Sequence, residues 1–201
     1  MGNNYTVINL KQYLDAKGKN LLPDDQIYKD FGSFSCGPNA DVERFLLNNS
    51  ISFSRKKQSV SYCVYDGDKH LVGYFALAVK PVTFRSEVLS KTARKVVERV
   101  SKYNANTKEY SASGYLIAQL GKNFRIAKEL QISGSHLLNI AINSIQQAQN
   151  LVGGTIVFLE CENHPKLMNF YEQNLFRQFS SRITDNPNTE GLVLNQMFRL
   201  I

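Results

Sequence analysis

The sequence predicts an α/β protein built on a mixed, partly parallel central sheet flanked by helices. Three features carry that prediction. Ser113 to Phe124 and Thr155 to Leu159 are apolar, strand-like runs separated by one helical pattern, the order that a parallel crossover unit requires. Ser59 to Tyr65 and His70 to Val79 flank the turn Asp66-Gly67-Asp68 and read as a hairpin. Phe176 to Ile183 and Leu192 to Leu200 form a further pair around Asp185-Asn186-Pro187-Asn188.

The remaining elements follow in chain order. Thr6 to Leu10 alternates and opens the sheet as an edge strand, and residues 11–40 read as short helical turns and loop. Asp41 is placed to cap a helix through Val42, Phe45 and Leu46, with Glu43 in its first turn. From Val82 to Tyr110 there are seven Lys or Arg against three Glu. In that stretch Val88, Leu89, Ala93, Val96, Val97 and Val100 recur at helical spacing, which predicts an amphipathic helix with a basic outer face. Gly134 or Ser135 begins a helix with apolar Leu137, Leu138, Ala141, Ile142 and Ile145, and Gly153-Gly154 ends it. Pro165 suits the first turn of a short helix reaching Gln173. No repeat or linker divides the chain, so residues 1–201 read as one domain.

Composition narrows the class. Hydrophobic residues make up 43% of the 201, and 12 Phe with 10 Tyr supply bulk in place of Trp. Disorder would need low hydrophobicity with high net charge, so it is excluded. The net charge of +7 favours polyanionic partners, among them nucleic acids and phosphate-rich cofactors. Cys36, Cys63 and Cys161 are too far apart in sequence for a disulfide framework or a zinc knuckle, so no metal site is expected. Cys63 and Cys161 lie in apolar runs, as buried free thiols do, and a reducing cytoplasm is the natural compartment. The opening MGNNYTVINL has no basic stretch leading into a long apolar core, and no run is long enough to span a bilayer.

Two segments carry candidate chemistry. Gln131-Ile132-Ser133-Gly134-Ser135-His136 follows a strand and opens a helix, a context that directs backbone N–H groups and a helix dipole at bound phosphate. Gly134 removes the side chain where a pyrophosphate has to approach the backbone. By itself Ser-Gly-Ser before a helix is also an ordinary cap. Tyr171, in Leu167 to Glu172, is either a core aromatic beside Phe170 or a functional phenol. The two segments flank the strand ending at Leu159, and loops leaving the carboxyl ends of parallel strands gather on one sheet edge.

Together these segments make the chain resemble the GCN5-related N-acetyltransferase superfamily over roughly residues 59–183. That family carries Q/R-x-x-G-x-G/A at the cofactor pyrophosphate, matched here by Gln131, Ser133 and Gly134. It also has an Asn near the end of the next strand, here Asn163, and a tail of the form FYEKxGF, here Phe170 to Phe176. His136 stands where the family prefers Gly or Ala, and Leu175 where it often has Gly. The chain is also similar to the toxin branch that modifies the amine of aminoacyl-tRNA. That likeness lies in Phe34 to Leu46, in the tyrosine tail, and in the long basic segment.

The resemblance implies acetyl-CoA as cofactor, held by Leu120, Gln131, Ile132, Ser133, Gly134, Ser135, His136 and Asn163. It implies Tyr171 as the acid that protonates the departing CoA thiolate, with a backbone N–H around Ala118 to Leu120 stabilising the oxyanion. Glu160 and Glu162 are candidates for a base acting through water, and none is assigned. The acceptor is a primary amine. Aminoacyl-tRNA is the leading candidate, with Arg85, Lys91, Arg94, Lys95, Arg99 and Lys102 holding the RNA. Small-molecule or protein acceptors, and an inactive acyl-CoA fold used for binding or regulation, are the alternatives. The toxin branch further implies a cognate antitoxin protein and allows a homodimer.

Overall fold

The computed structural model describes residues 4–15, 23–37, 39–184 and 191–201. Its strands are β1 (Thr6–Asn9), β2 (Val60–Tyr65), β3 (Leu71–Arg85), β4 (Ser101–Asn104), β5 (Glu109–Lys122), β6 (Ile156–Glu162), β7 (Arg177–Ile183) and β8 (Val193–Leu200). The helices are α1 (Leu10–Asp15), α2 (Asp24–Phe31), α3 (Ala40–Arg44), α4 (Ser50–Arg55), α5 (Lys91–Glu98), α6 (Gly134–Val152) and α7 (Pro165–Gln173). A π-helical turn, Phe45–Asn49, joins α3 to α4. One sheet runs in the order β1-β2-β3-β5-β6-β8-β7, with β4 paired to β5. The β5–β6 ladder is parallel, Tyr115 opposite Val157 and Ile117 opposite Leu159, whereas β1–β2, β2–β3, β6–β8 and β7–β8 are antiparallel. The predicted mixed sheet and its crossover through α6 are therefore present. The turn at Asp185 to Asn188 lies outside the described residues.

Contacts group the chain into residues 1–78 with 118–143, and residues 79–117 with 144–201. Each unit has its own core. In the first, Leu10, Ile27, Phe31, Phe34, Leu46, Ile51, Leu71 and Tyr74 are buried around Cys36 and Cys63. In the second, Val82, Phe84, Leu89, Val97 and Tyr110 pack with Ile156, Phe158, Phe179 and Phe198. Phe84 lies 4.6 Å from Phe179 and 5.0 Å from Phe198 by ring centroids. Each such fully buried side chain stabilises by roughly 1.5–3 kcal/mol, so these clusters hold the ends of β3, β5 and β8 in place.

Two sequence expectations are corrected. Asn39, not Asp41, caps α3: its Oδ1 accepts from the Val42 N–H at 3.1 Å, while Asp41 sits in the first turn and pairs with Arg44. The long helix over Val82 to Tyr110 is replaced by the end of β3, a short 3₁₀ turn, α5, β4 and the start of β5. Val82 and Phe84 are buried while Thr83 and Arg85 are exposed, a period of two that continues β3. The Ser90 side chain then accepts from the Ala93 N–H and starts α5, which lasts only eight residues. Asn104 Oδ1 accepts from the backbone of Asn106 and Thr107, closing a turn that folds β4 back on β5. Of the valines that look helical by spacing, Val96 and Val97 lie in α5, while Val88 is in the 3₁₀ turn and Val100 in the turn before β4.

Candidate active site

In the first unit, the candidate phosphate loop is built from the exit of β5. Gly121 lies near the end of that strand, and a Cβ there would stand 2.6 Å from Val42 and 3.0 Å from the Cys36 sulfur. Only glycine lets Cys36 and Val42 close on β5 at that point. Asn123, fully buried, then ties the exit down. Its Oδ1 accepts from the Ser35 and Arg125 N–H groups, and its Nδ2 donates to the Ser33 and Leu71 carbonyls. With both amide atoms satisfied this residue fixes three chain segments at once.

The loop reaches α6 through Gln131. Its Nε2 donates to the Ile126 carbonyl at 3.2 Å, and its Oε1 accepts from Lys122 Nζ at 3.4 Å. Ile132 is 1% exposed and anchors the turn in the core. Ser133 caps α6, its Oγ accepting from the His136 N–H at 3.1 Å and its carbonyl from the Leu137 N–H at 3.0 Å. Ser133, Ser135 and His136 are exposed and Gly134 is partly so. The first-turn N–H groups of a helix have no intrahelical acceptor and carry the positive end of its dipole. A phosphate fits such a surface. The His136 ring lies edge-on to Tyr5 at 4.9 Å, so the side chain in the place of the usual Gly or Ala packs on the N-terminal segment. Leu120 is half-buried on β5.

Sequence reading missed Lys122. Its ammonium stands 4.6 Å above the Phe124 ring as well as beside Gln131, which puts a cation next to the loop. The lysine looked like one more residue of a strand, and only the return of Gln131 toward β5 gives it a place. Nothing in the spacing signals that.

In the second unit, β6 ends at Glu162 and α7 begins after Asn163 and His164. His164 Nδ1 accepts from the Lys166 N–H at 3.2 Å, and Pro165 occupies the first turn as predicted. Asn163 is exposed; its N–H donates to the Val193 carbonyl, and its Oδ1 accepts from Asn195 Nδ2 at 3.1 Å. Asn195 is 4% exposed and in turn accepts from Gln178 Nε2 at 2.9 Å. This polar chain orients the Asn163 amide. Tyr171 is 7% exposed on α7, with ring centroids 4.9 Å from Phe170 and 5.8 Å from Phe176.

Of the two candidate bases, Glu160 is committed elsewhere. Arg182 grips both of its oxygens at 2.7 and 2.8 Å, and Gln196 donates to Oε1 at 2.8 Å. Burial opposes ionisation, yet these hydrogen bonds and the Arg182 charge together hold the carboxyl below the usual glutamate range. A carboxylate so stabilised is a poor proton acceptor.

The basic residues do not share one helical face. Arg85 ends β3, Lys91 and Lys95 lie on α5 one turn apart, Arg99 caps that helix, and Lys102 is on β4. All five are exposed. Arg94 is half-buried and its Nη2 donates to the Ser86 carbonyl at 2.6 Å, which makes it a structural residue.

The strand order, the short parallel ladder and the loop entering α6 define the GCN5-related N-acetyltransferase fold. No protein-family model matches the chain, and no curated protein does. Solved structures do. The chain is 17% identical to a bacterial toxin, with 99% of this chain and 92% of that one covered and a TM-score of 0.63. It is 17% identical to AtaT complexed with acetyl-methionyl-tRNAfMet, covering 95% and 94% with a TM-score of 0.60. A tyrosine-to-phenylalanine mutant of the AtaT toxin, bound to the C-terminus of the antitoxin AtaR and acetyl-CoA, is 18% identical over 98% and 93%, with a TM-score of 0.56. At these identities the likeness is one of fold. Among the described residues no helix is long and apolar enough to cross a membrane.

Proposed function

We propose that this chain is a member of the GCN5-related N-acetyltransferases and moves an acetyl group from acetyl-CoA to the amine of an aminoacyl-tRNA. The observation that carries the reading is the loop from Gln131 to His136, which opens α6 at exposed residues beside a lysine. The fold shared with AtaT, a toxin seen with acetyl-methionyl-tRNAfMet, supports the choice of acceptor. A protein partner, in the relation that AtaR bears to AtaT, belongs to the same reading.

Acetyl-CoA supplies an activated thioester whose acetyl group passes to a neutral amine with release of the CoA thiol. The Ser133 to His136 backbone receives the pyrophosphate, and Gly134 keeps that approach clear of a side chain. A backbone N–H near Leu120 donates to the oxygen on which negative charge develops. Asn163 takes the role that the sequence resemblance gives it, a contact to the cofactor. Tyr171 delivers a proton to the departing sulfur, since a phenol stays protonated at neutral pH. No side chain is assigned as base.

The test is acetyl-CoA titration followed by transfer to a full mixture of aminoacyl-tRNAs, polyamines and peptides, with products read by mass. Gly134→Asp, which adds bulk and negative charge in the loop, should largely abolish acetyl-CoA binding. Tyr171→Phe should bind acetyl-CoA normally and lose ~10²–10⁴ in turnover. Efficient transfer to a small amine with none to any aminoacyl-tRNA would overturn the acceptor. A folded chain that does not bind acetyl-CoA would overturn the enzyme itself.

A further inference from the structure

The β4–β5 hairpin concentrates features that the transfer reaction does not use. Tyr103 is 47% exposed, although the aromatic ring it packs on, Tyr110, belongs to the second unit's buried core. It is not loose. Its ring is tilted 38° against Tyr110 with centroids 4.7 Å apart, and Tyr110 is itself pinned by donating from its hydroxyl to Glu98 Oε1 at 2.7 Å. Tyr103 faces Tyr110 directly in the antiparallel register, so the pair forms a fixed shelf with one ring turned to solvent.

The surroundings are cationic. Residues 91–109 hold six Lys or Arg against two carboxylates, Glu98, which is engaged by Tyr110, and Glu109, opposite Asn104 in the hairpin. Lys95, Arg99, Lys102 and Lys108 are exposed. Lys102 and Asn104 flank Tyr103 along the exposed strand β4. A concavity of about 400 Å³ beside the hairpin is lined by Lys102, Tyr103, Asn104, Asn106 and Ser111. Strand β4 pairs only with β5 among the described strands, so its outer edge is available.

We propose that this hairpin binds a single-stranded segment of RNA, with one unpaired base stacked on Tyr103 and the flanking phosphates on Lys102 and Arg99. An exposed aromatic face set among cations is the arrangement that takes unpaired bases, because every base has a π-face and every linkage a charge. A duplex keeps its bases stacked inside and offers nothing for the ring. A simple charged surface would need no aromatic at all. This inference deepens the proposed RNA acceptor by naming a contact remote from the amine that reacts.

The experiment uses the full chain and fluorescein-labelled octamers of adenylate and uridylate, read by anisotropy without acetyl-CoA. Wild type should bind oligoadenylate more tightly than oligouridylate, because purines stack better, and both more tightly than a duplex of the same length. Tyr103→Phe should match wild type within about twofold. Tyr103→Ala should weaken oligoadenylate binding about tenfold or more. Tyr103→Leu, which still covers Tyr110 but has no π-face, should do the same and serves if the alanine variant does not fold. Wild-type affinity in a folded Ala or Leu variant, or preference of the wild type for duplex, would overturn the proposal. Loss of the hairpin effect with transfer to aminoacyl-tRNA intact removes the hairpin alone. Intact octamer binding without any acetyl transfer removes the enzyme reading and leaves the hairpin standing.

Discussion

Single residues account for the two departures from the family pattern, and both have a physical reading. Leu175 has φ +69°, the left-handed region in which a Cβ costs roughly 1–2 kcal/mol, and its side chain is 68% exposed. Leu175→Gly therefore removes strain and little packing. It should raise stability by about 0.5–1 kcal/mol in a denaturant titration, after the entropy gained by the unfolded chain is subtracted. His136 interrupts no hydrogen bond of the loop, since its backbone is capped by Ser133 and its ring lies on Tyr5. Lys122→Met keeps the alkyl stem over Phe124 and deletes the charge. On the proposed reading, calorimetry should show acetyl-CoA affinity lowered about fivefold to tenfold, with turnover at saturation unchanged. Glu160 gives a pH signature. A carboxyl held below its unfolded value contributes stability that is complete above the ordinary glutamate range and disappears as pH falls through the folded value. Glu160→Gln should cost about 1–2 kcal/mol at pH 7, and its deficit against wild type should shrink on acidification toward pH 3.

At the scale of elements, the short α5 changes how the basic segment must be probed. On the proposed reading, charge reversal at Lys91, Lys95 and Arg99 acts on exposed residues and should raise the tRNA concentration for half-maximal rate, with thermal stability nearly unchanged. Arg94→Ala instead removes a half-buried donor to the Ser86 carbonyl, so it should lower the unfolding midpoint first. Comparing both variants in the same melting and kinetic assays separates the two roles. The turn from α6 to β6 makes a similar point. Gly153 and Gly154 have φ +76° and +98°, and a Cβ on Gly154 would lie 2.9 Å from the Tyr115 ring. Gly154→Ala thus combines backbone strain with a clash, and a loss of about 1–3 kcal/mol is expected from chemical denaturation.

For the whole molecule, the three thiols report on global opening. Cys36 is pushed up to about 11 by burial and then by the Glu43 charge. Burial alone pushes Cys63 to about 12, and burial with Glu162 pushes Cys161 to about 11. At pH 8 scarcely any is thiolate, the nucleophilic form. A thiol reagent followed by mass should therefore label none of them on the timescale of a free cysteine, and all three once denaturant unfolds the chain. Fast labelling of one site in native protein would mark a locally open element.

The sequence by itself determined the elements whose signals are local. The hairpin turn at Asp66 to Asp68, the Gly153-Gly154 stop, Pro165 opening α7 and the apolar runs of β5 and β6 are each written in a few adjacent residues. Their order was enough to give the crossover and, from it, the loop at Gln131 to His136. Tertiary structure alone decided the rest. Periodicity could not separate β3 from α5, because apolar residues of a 3₁₀ turn, a short helix and the turn after it happen to fall at one helical spacing between Val88 and Val100. Nor could it tell that Arg94 turns inward, that Glu160 is spent on Arg182 and Gln196, or that Lys122 meets Gln131. Those outcomes depend on which side chains arrive from distant parts of the chain, and charge, hydrogen bonding and burial take their values only once they do.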